Sequence, residues 1–117
     1  MISADRNFIL TGLHKTLDAL AVPGEEALLY APAGSARADE LALDFENFAT
    51  AFLSNYSADL SEEQRSAIET VDRLLGSMSG TTNEALWTDA AVIDHPRWKE
   101  IRQAAAVAIQ LLSEMAA

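Results

Sequence analysis

The sequence predicts an all-α fold: a four-helix up-and-down bundle with one or two short extra helices, its C-terminal helix the most buried. Three observations carry this reading. Alanine and leucine dominate the apolar residues, with 22 Ala and 15 Leu against 4 Val, which favours helix over strand. Apolar residues recur at steps of three and four along four long segments, and no strict apolar–polar alternation lasts beyond a few residues. The stretch Ser57-Ala58-Asp59-Leu60 is too short for anything except an antiparallel return between helices. At 117 residues the chain is the size of one domain, so 1–117 is expected to form one compact unit with a radius of gyration near ~13 Å.

The first helix is expected over 4–21. Ser3 stands where an N-cap belongs, Asp5 lies in the first turn, and Leu10, Leu13, Leu17 and Leu20 form a heptad-spaced seam. Gly12 weakens this helix, and Pro23-Gly24 ends it. Residues 25–30 have the pattern for one or two helical turns, and 31–35 (APAGS) read as a loop. A second helix over 37–57 places Leu41, Phe45, Phe48, Phe52 and Tyr56 on one face, the aromatic side of the core. Ser61-Glu62-Glu63-Gln64 fits a capping box that starts a third helix over 61–79, with Ile68, Val71, Leu75 and Met78 inward and Gly80 just past its end. Another short helix is expected at 84–90. The last helix, 95–116, begins with Asp94 as its cap and Pro96 in its first turn. Trp98, Ile101, Ala104, Ala105, Val107, Ala108, Ile109, Leu111, Leu112 and Met115 give it an apolar arc of roughly 200°, twice that of a surface helix.

Charge bounds the function. Eighteen acidic residues against eight basic ones give a net charge of −10. Nucleic acids and anionic membranes both select for Lys and Arg, so neither is an expected partner, whereas a basic protein is. Cysteine is absent, which removes disulfides, thiolate metal sites and thiol nucleophiles. The N-terminus MISADRNFIL has no basic n-region or long apolar h-region, and no run reaches the length of a membrane span. A cytoplasmic location is therefore expected.

Half of the acids have a structural reason to be where they are: Asp5, Glu25, Glu26, Asp39, Glu40, Glu62, Glu63, Glu84 and Asp94 all fall at expected helix starts, where the macrodipole favours negative charge. A four-helix carboxylate metal site needs a Glu-x-x-His pair, and none occurs. His14 and Asp18 are spaced as an i,i+4 pair with no nucleophile motif nearby. The expected protein is thus not an enzyme and uses no cofactor or metal. The acids to consider first, explained neither by helix starts nor by obvious pairs, are Asp44 and Glu46 on the second helix and Glu69 and Asp72 on the third, which are expected to form one continuous partner-binding face. A secondary candidate contact is Trp87, His95, Arg97, Trp98 and Arg102, since cations in the first turns of a helix oppose its dipole unless something offsets them.

Leu86-Trp87-Thr88, Pro96-Arg97-Trp98 and Ile101-Arg102 followed by alanines and leucines resemble small bacterial helical proteins. The resemblance carries over no residue's role. The function expected is protein binding, in the manner of an immunity, antitoxin or regulatory subunit. One alternative is a structural or homo-oligomeric subunit whose acidity serves solubility, and a second is a carboxylate-based metal-dependent enzyme using Asp44 and Glu46. A weak homodimer through Ala104, Val107 and Leu111 of the last helix is also expected.

Overall fold

A computed structural model describes residues 3–31 and 36–113, without the side chains of Ser3, Ala4 and Thr81. All but Ala31 of the loop read at 31–35, the end of a last helix running to 116 and the capping hydroxyl of Ser3 lie outside the described residues. Among the described residues six α-helices follow one another: α1 (Ser3–Ala21), α2 (Gly24–Ala27), α3 (Arg37–Tyr56), α4 (Glu62–Gly76), α5 (Asp89–Asp94) and α6 (Pro96–Leu112). Short 3-10 turns occupy Leu28–Tyr30, Ser57–Asp59 and Thr81–Trp87. Among the described residues there is no strand, and no helix is long and apolar enough to cross a membrane. The radius of gyration is 13.9 Å.

The heptad seam of α1 does what its spacing predicts: Leu10, Leu13, Leu17 and Leu20 are all buried, with Leu13 and Leu17 at 0% exposure. Helix α1 packs along both α3 and α6, and α4 packs along α6. Phe45 and Phe52 of α3, Ile68 and Val71 of α4, and Ile101 and Leu112 of α6 meet in one contiguous core, each fully buried side chain contributing about 1.5–3 kcal/mol. Gly12 has its reason on α1 in packing. A Cβ there would overlap the Phe48 ring of α3, so the small residue lets the two helices approach.

Helix α6 is narrower in its burial than its composition implies. Trp98, Ile101, Ala105, Ala108 and Leu112 are buried, no more than the Ala38, Leu41, Phe45, Ala49 and Phe52 of α3. Ala104, Ile109 and Leu111 are half-buried, and Val107 is 54% exposed. The alanines explain the difference: they widen the apolar arc without obliging a neighbour to cover it.

Three element boundaries differ from the sequence reading. The cap of α6 is His95, whose Nδ1 accepts a hydrogen bond from the Arg97 amide at 3.1 Å. Asp94 instead ends α5. Pro96 forces the residue before it out of the α region, and His95 is accordingly extended at φ −77, ψ 137, so the break falls one residue later than an Asp cap requires. Helix α4 stops at Gly76 rather than 79, and the tight turns that follow drop Met78 into the core at 0% exposure. The short helix read at 84–90 resolves into two pieces, the turn Thr81–Trp87 and α5. Thr88 separates them, its hydroxyl accepting from the Ala91 amide.

Candidate functional site

The carboxylates singled out by the sequence do not share one face. Asp44 and Glu46 are two residues apart on α3, and two steps of ~100° place them roughly 200° apart around the helix. Asp44 lines a cleft of about 410 Å³ between α1 and α3, beside Gly12, Lys15 and Phe48. Glu46 lines a groove of about 460 Å³ on the other side of α3, together with Asp72 of α4. Glu69, one turn before Asp72, is exposed and outside that groove. Of the four candidates, the fold brings together Glu46 and Asp72.

The groove follows from how α3 and α4 meet. The capping box formed at Ser61 and Gln64 starts α4 immediately after the turn from α3. Beyond that joint the two helices touch far less than either touches its other main neighbour. The first half of α3 therefore faces the last turns of α4 across an opening. Its α3 wall is Asp39, Ala42, Leu43 and Glu46, and its α4 wall is Asp72, Leu75 and Gly76, with Ser79, Gly80 and Trp87 completing the lining. Leu43 is 52% exposed. Three carboxylates thus surround an apolar strip, and among the described residues none of the three has a salt-bridge partner. Gly80 adopts φ +105, a conformation that L side chains rarely take, and this glycine turns the chain from α4 toward Trp87.

Sequence reasoning grouped Glu46 with Asp72 but missed Asp39 and Leu43. The signal was present: residues 39, 42, 43 and 46 form a second stripe on α3 with i, i+3, i+4, i+7 spacing. The aromatic seam on the neighbouring face masks it.

The secondary candidates have structural partners. Trp87 and Trp98 stack edge to face with centroids 5.6 Å apart. The Trp87 indole N–H donates to the Met78 carbonyl and that of Trp98 to the Leu86 carbonyl, both at 2.7 Å. Arg97 donates to the Ser77 hydroxyl and lies 3.7 Å from Glu100, and Lys99 lies 3.9 Å from Asp94. Arg102 pairs with backbone and not with a carboxylate. Its Nε donates to the Val22 carbonyl at 3.2 Å and its Nη2 to the Val92 carbonyl at 3.4 Å. One guanidinium thereby meets carbonyls near the negative ends of α1 and α5, which offsets its unfavourable position on α6. The five residues form a structural corner, of which Trp87 alone also lines the acidic groove.

His14 and Asp18 form no ion pair among the described residues, and no three His, Asp or Glu side chains gather there as a metal site. No family model, curated protein or solved structure matches this chain.

Proposed function

We propose that this chain is a non-enzymatic protein-binding module that receives a basic partner in the groove between α3 and α4, in the manner of an immunity, antitoxin or regulatory subunit working in the cytoplasm. The observation that carries the reading is the placement of Asp39, Glu46 and Asp72 around the exposed Leu43 and the half-buried Trp87, on a chain of net charge −10. Such a surface raises the encounter rate of a cationic partner and repels polyanions, while the apolar strip supplies area to bury. The packing order α1, α3, α4, α6 and back to α1 supports an up-and-down bundle as the rigid frame for this groove. The test is affinity capture from the native cell extract with two variants that remove equal charge from α3 and α4. Glu46→Gln/Asp72→Asn is expected to abolish a salt-sensitive capture that Asp44→Asn/Glu69→Gln retains. Equal loss in both variants, or capture indifferent to salt, refutes the assignment.

A second reading is favoured by Val107, which is 54% exposed on α6 and lines a shallow depression with Ala67 and Leu111. This face is proposed to form a weak homodimer. Sedimentation equilibrium at high concentration is expected to show mass above the monomer that Val107→Glu removes, and a strictly monomeric mass ends this reading.

A further inference from the structure

We infer that the element received by the groove is a short basic amphipathic helix, with cationic side chains seven residues apart and two apolar side chains between them. This inference rests on the preceding assignment of the groove to a basic partner and adds the conformation and register of what binds. The carboxylates of Asp39 and Glu46 are i and i+7 on α3 and both line the groove, so their positions along its wall are about 10.5 Å apart at 1.5 Å per residue. A helix laid along that wall repeats the same face every seven residues at the same spacing, so its cations meet both carboxylates in register. A β-strand does not match. Its same-face residues fall at about 6.6 or 13 Å, each some 3–4 Å out of step. Between the two acids, Ala42 and Leu43 on one wall and Leu75 and Trp87 opposite give apolar anchors at i+3 and i+4 a surface to cover, the usual anchor spacing of a helix in a groove. Asp72 on the α4 wall lies across from this strip and favours positive charge on the partner's other flank. Two turns of helix bury less than a standard interface, so this element alone is expected to bind with a dissociation constant above about 10 μM.

The experiment is an NMR titration of the ¹⁵N-labelled chain with three synthetic alanine-based peptides. The first carries Arg at positions i and i+7, Leu at i+3 and i+4, and a helix-stabilising staple on its far side. The second keeps composition and staple but moves the second Arg to i+5, about 140° off the face. The third is unstapled with a central proline, which breaks the helix and favours a polyproline conformation of 3.1 Å rise. The expected result is saturable shifts at the Leu43 and Leu75 amides and the Trp87 indole with the first peptide. The other two are expected to bind at least tenfold more weakly, and Asp39→Asn or Glu46→Gln to weaken the first about threefold each, the size of an exposed ion pair. Equal binding by all three peptides overturns the helical register while leaving the basic-partner reading intact. The register is likewise overturned, and the basic partner kept, if no peptide binds although a captured partner depends on Glu46 and Asp72. Shifts that ignore both substitutions, or that map to the cleft between α1 and α3, overturn both.

Discussion

Gln64 is the most informative single position for the stability of this fold. Its side chain is buried, at 7% exposure, and joins two helices. Its Oε1 accepts from the Ser61 amide at 2.8 Å, closing the capping box of α4, while its Nε2 donates to the Leu111 carbonyl at 3.0 Å. That carbonyl lies in the last turn of α6, so the bond ties the start of α4 to the end of α6. Gln64→Ala removes both bonds, so at about 1 kcal/mol per bond the loss should be near 2 kcal/mol. For 117 residues the unfolding entropy is about 0.25 kcal/mol/K, and the expected fall in Tm is about 8 °C. Gln64→Glu separates the two contributions. A carboxylate still accepts from Ser61 and suits the first turn of α4, but it sets an acceptor against the Leu111 carbonyl. At neutral pH this variant should therefore be destabilised through α6 alone. In acid the protonated carboxyl becomes a donor. The carbonyl contact raises the folded-state pKa of the introduced group, so the stability it contributes is present at low pH and lost as pH rises through that pKa. Urea unfolding followed by circular dichroism between pH 4 and 7 reads both effects. A loss below about 0.5 kcal/mol for Gln64→Ala, or no recovery of Gln64→Glu in acid, refutes the bridging role.

The contact between Gly12 and Phe48 makes a double-mutant cycle decisive. Gly12→Ala should fail to stabilise the intact chain, whereas in a Phe48→Ala background it should recover about 1 kcal/mol of helix propensity, and additivity in thermal unfolding would contradict the packing argument. Arg102→Lys should lose nearly as much stability as Arg102→Met, about 1 kcal/mol by urea unfolding, since an ammonium cannot span the Val22 and Val92 carbonyls as a fork does. Full stability in the lysine variant would show that charge alone suffices. Glu46→Gln/Asp72→Asn should unfold within about 0.5 kcal/mol of the parent chain, because neither acid has a cationic partner among the described residues. A loss above about 1 kcal/mol would make these carboxylates structural and remove the ground for assigning them to a partner.

The helices were legible because their cues are local. The capping box at Ser61 and Gln64, the seam Leu10, Leu13, Leu17 and Leu20, and the Pro23 stop all act within a turn or two of the residues that encode them. The groove was legible only in part. Glu46 and Asp72 stood out as acids without a local role, but grouping them with Asp44 overlooked the roughly 200° between residues two apart on a helix. The partners of Arg102 were not legible at all. A carbonyl acceptor leaves no mark in the sequence, and Val22 lies 80 residues away. Secondary structure is written in spacing, whereas a contact between distant backbone and side chain is fixed only when the elements pack.

The same distinction bears on why the groove is where it is. Helices α3 and α4 are tied at one end by the shortest long-helix connection in the fold, while α3 is drawn against α1 and α4 against α6 along their lengths. Two helices joined at one end and held by different neighbours part at the other. The walls that face one another across the gap pair Leu43 and Leu75 with the small Ala42 and Gly76 and carry Asp39, Glu46 and Asp72. Small residues leave the space open and like charges on opposite walls resist its collapse, so the chain forgoes burying Leu43 there. Only Asp39 lies in a helix's first turn, where the macrodipole favours it. Glu46 and Asp72 gain no such stabilisation, and an exposed apolar strip between unpaired carboxylates is stabilised when a cationic, partly apolar surface covers both at once.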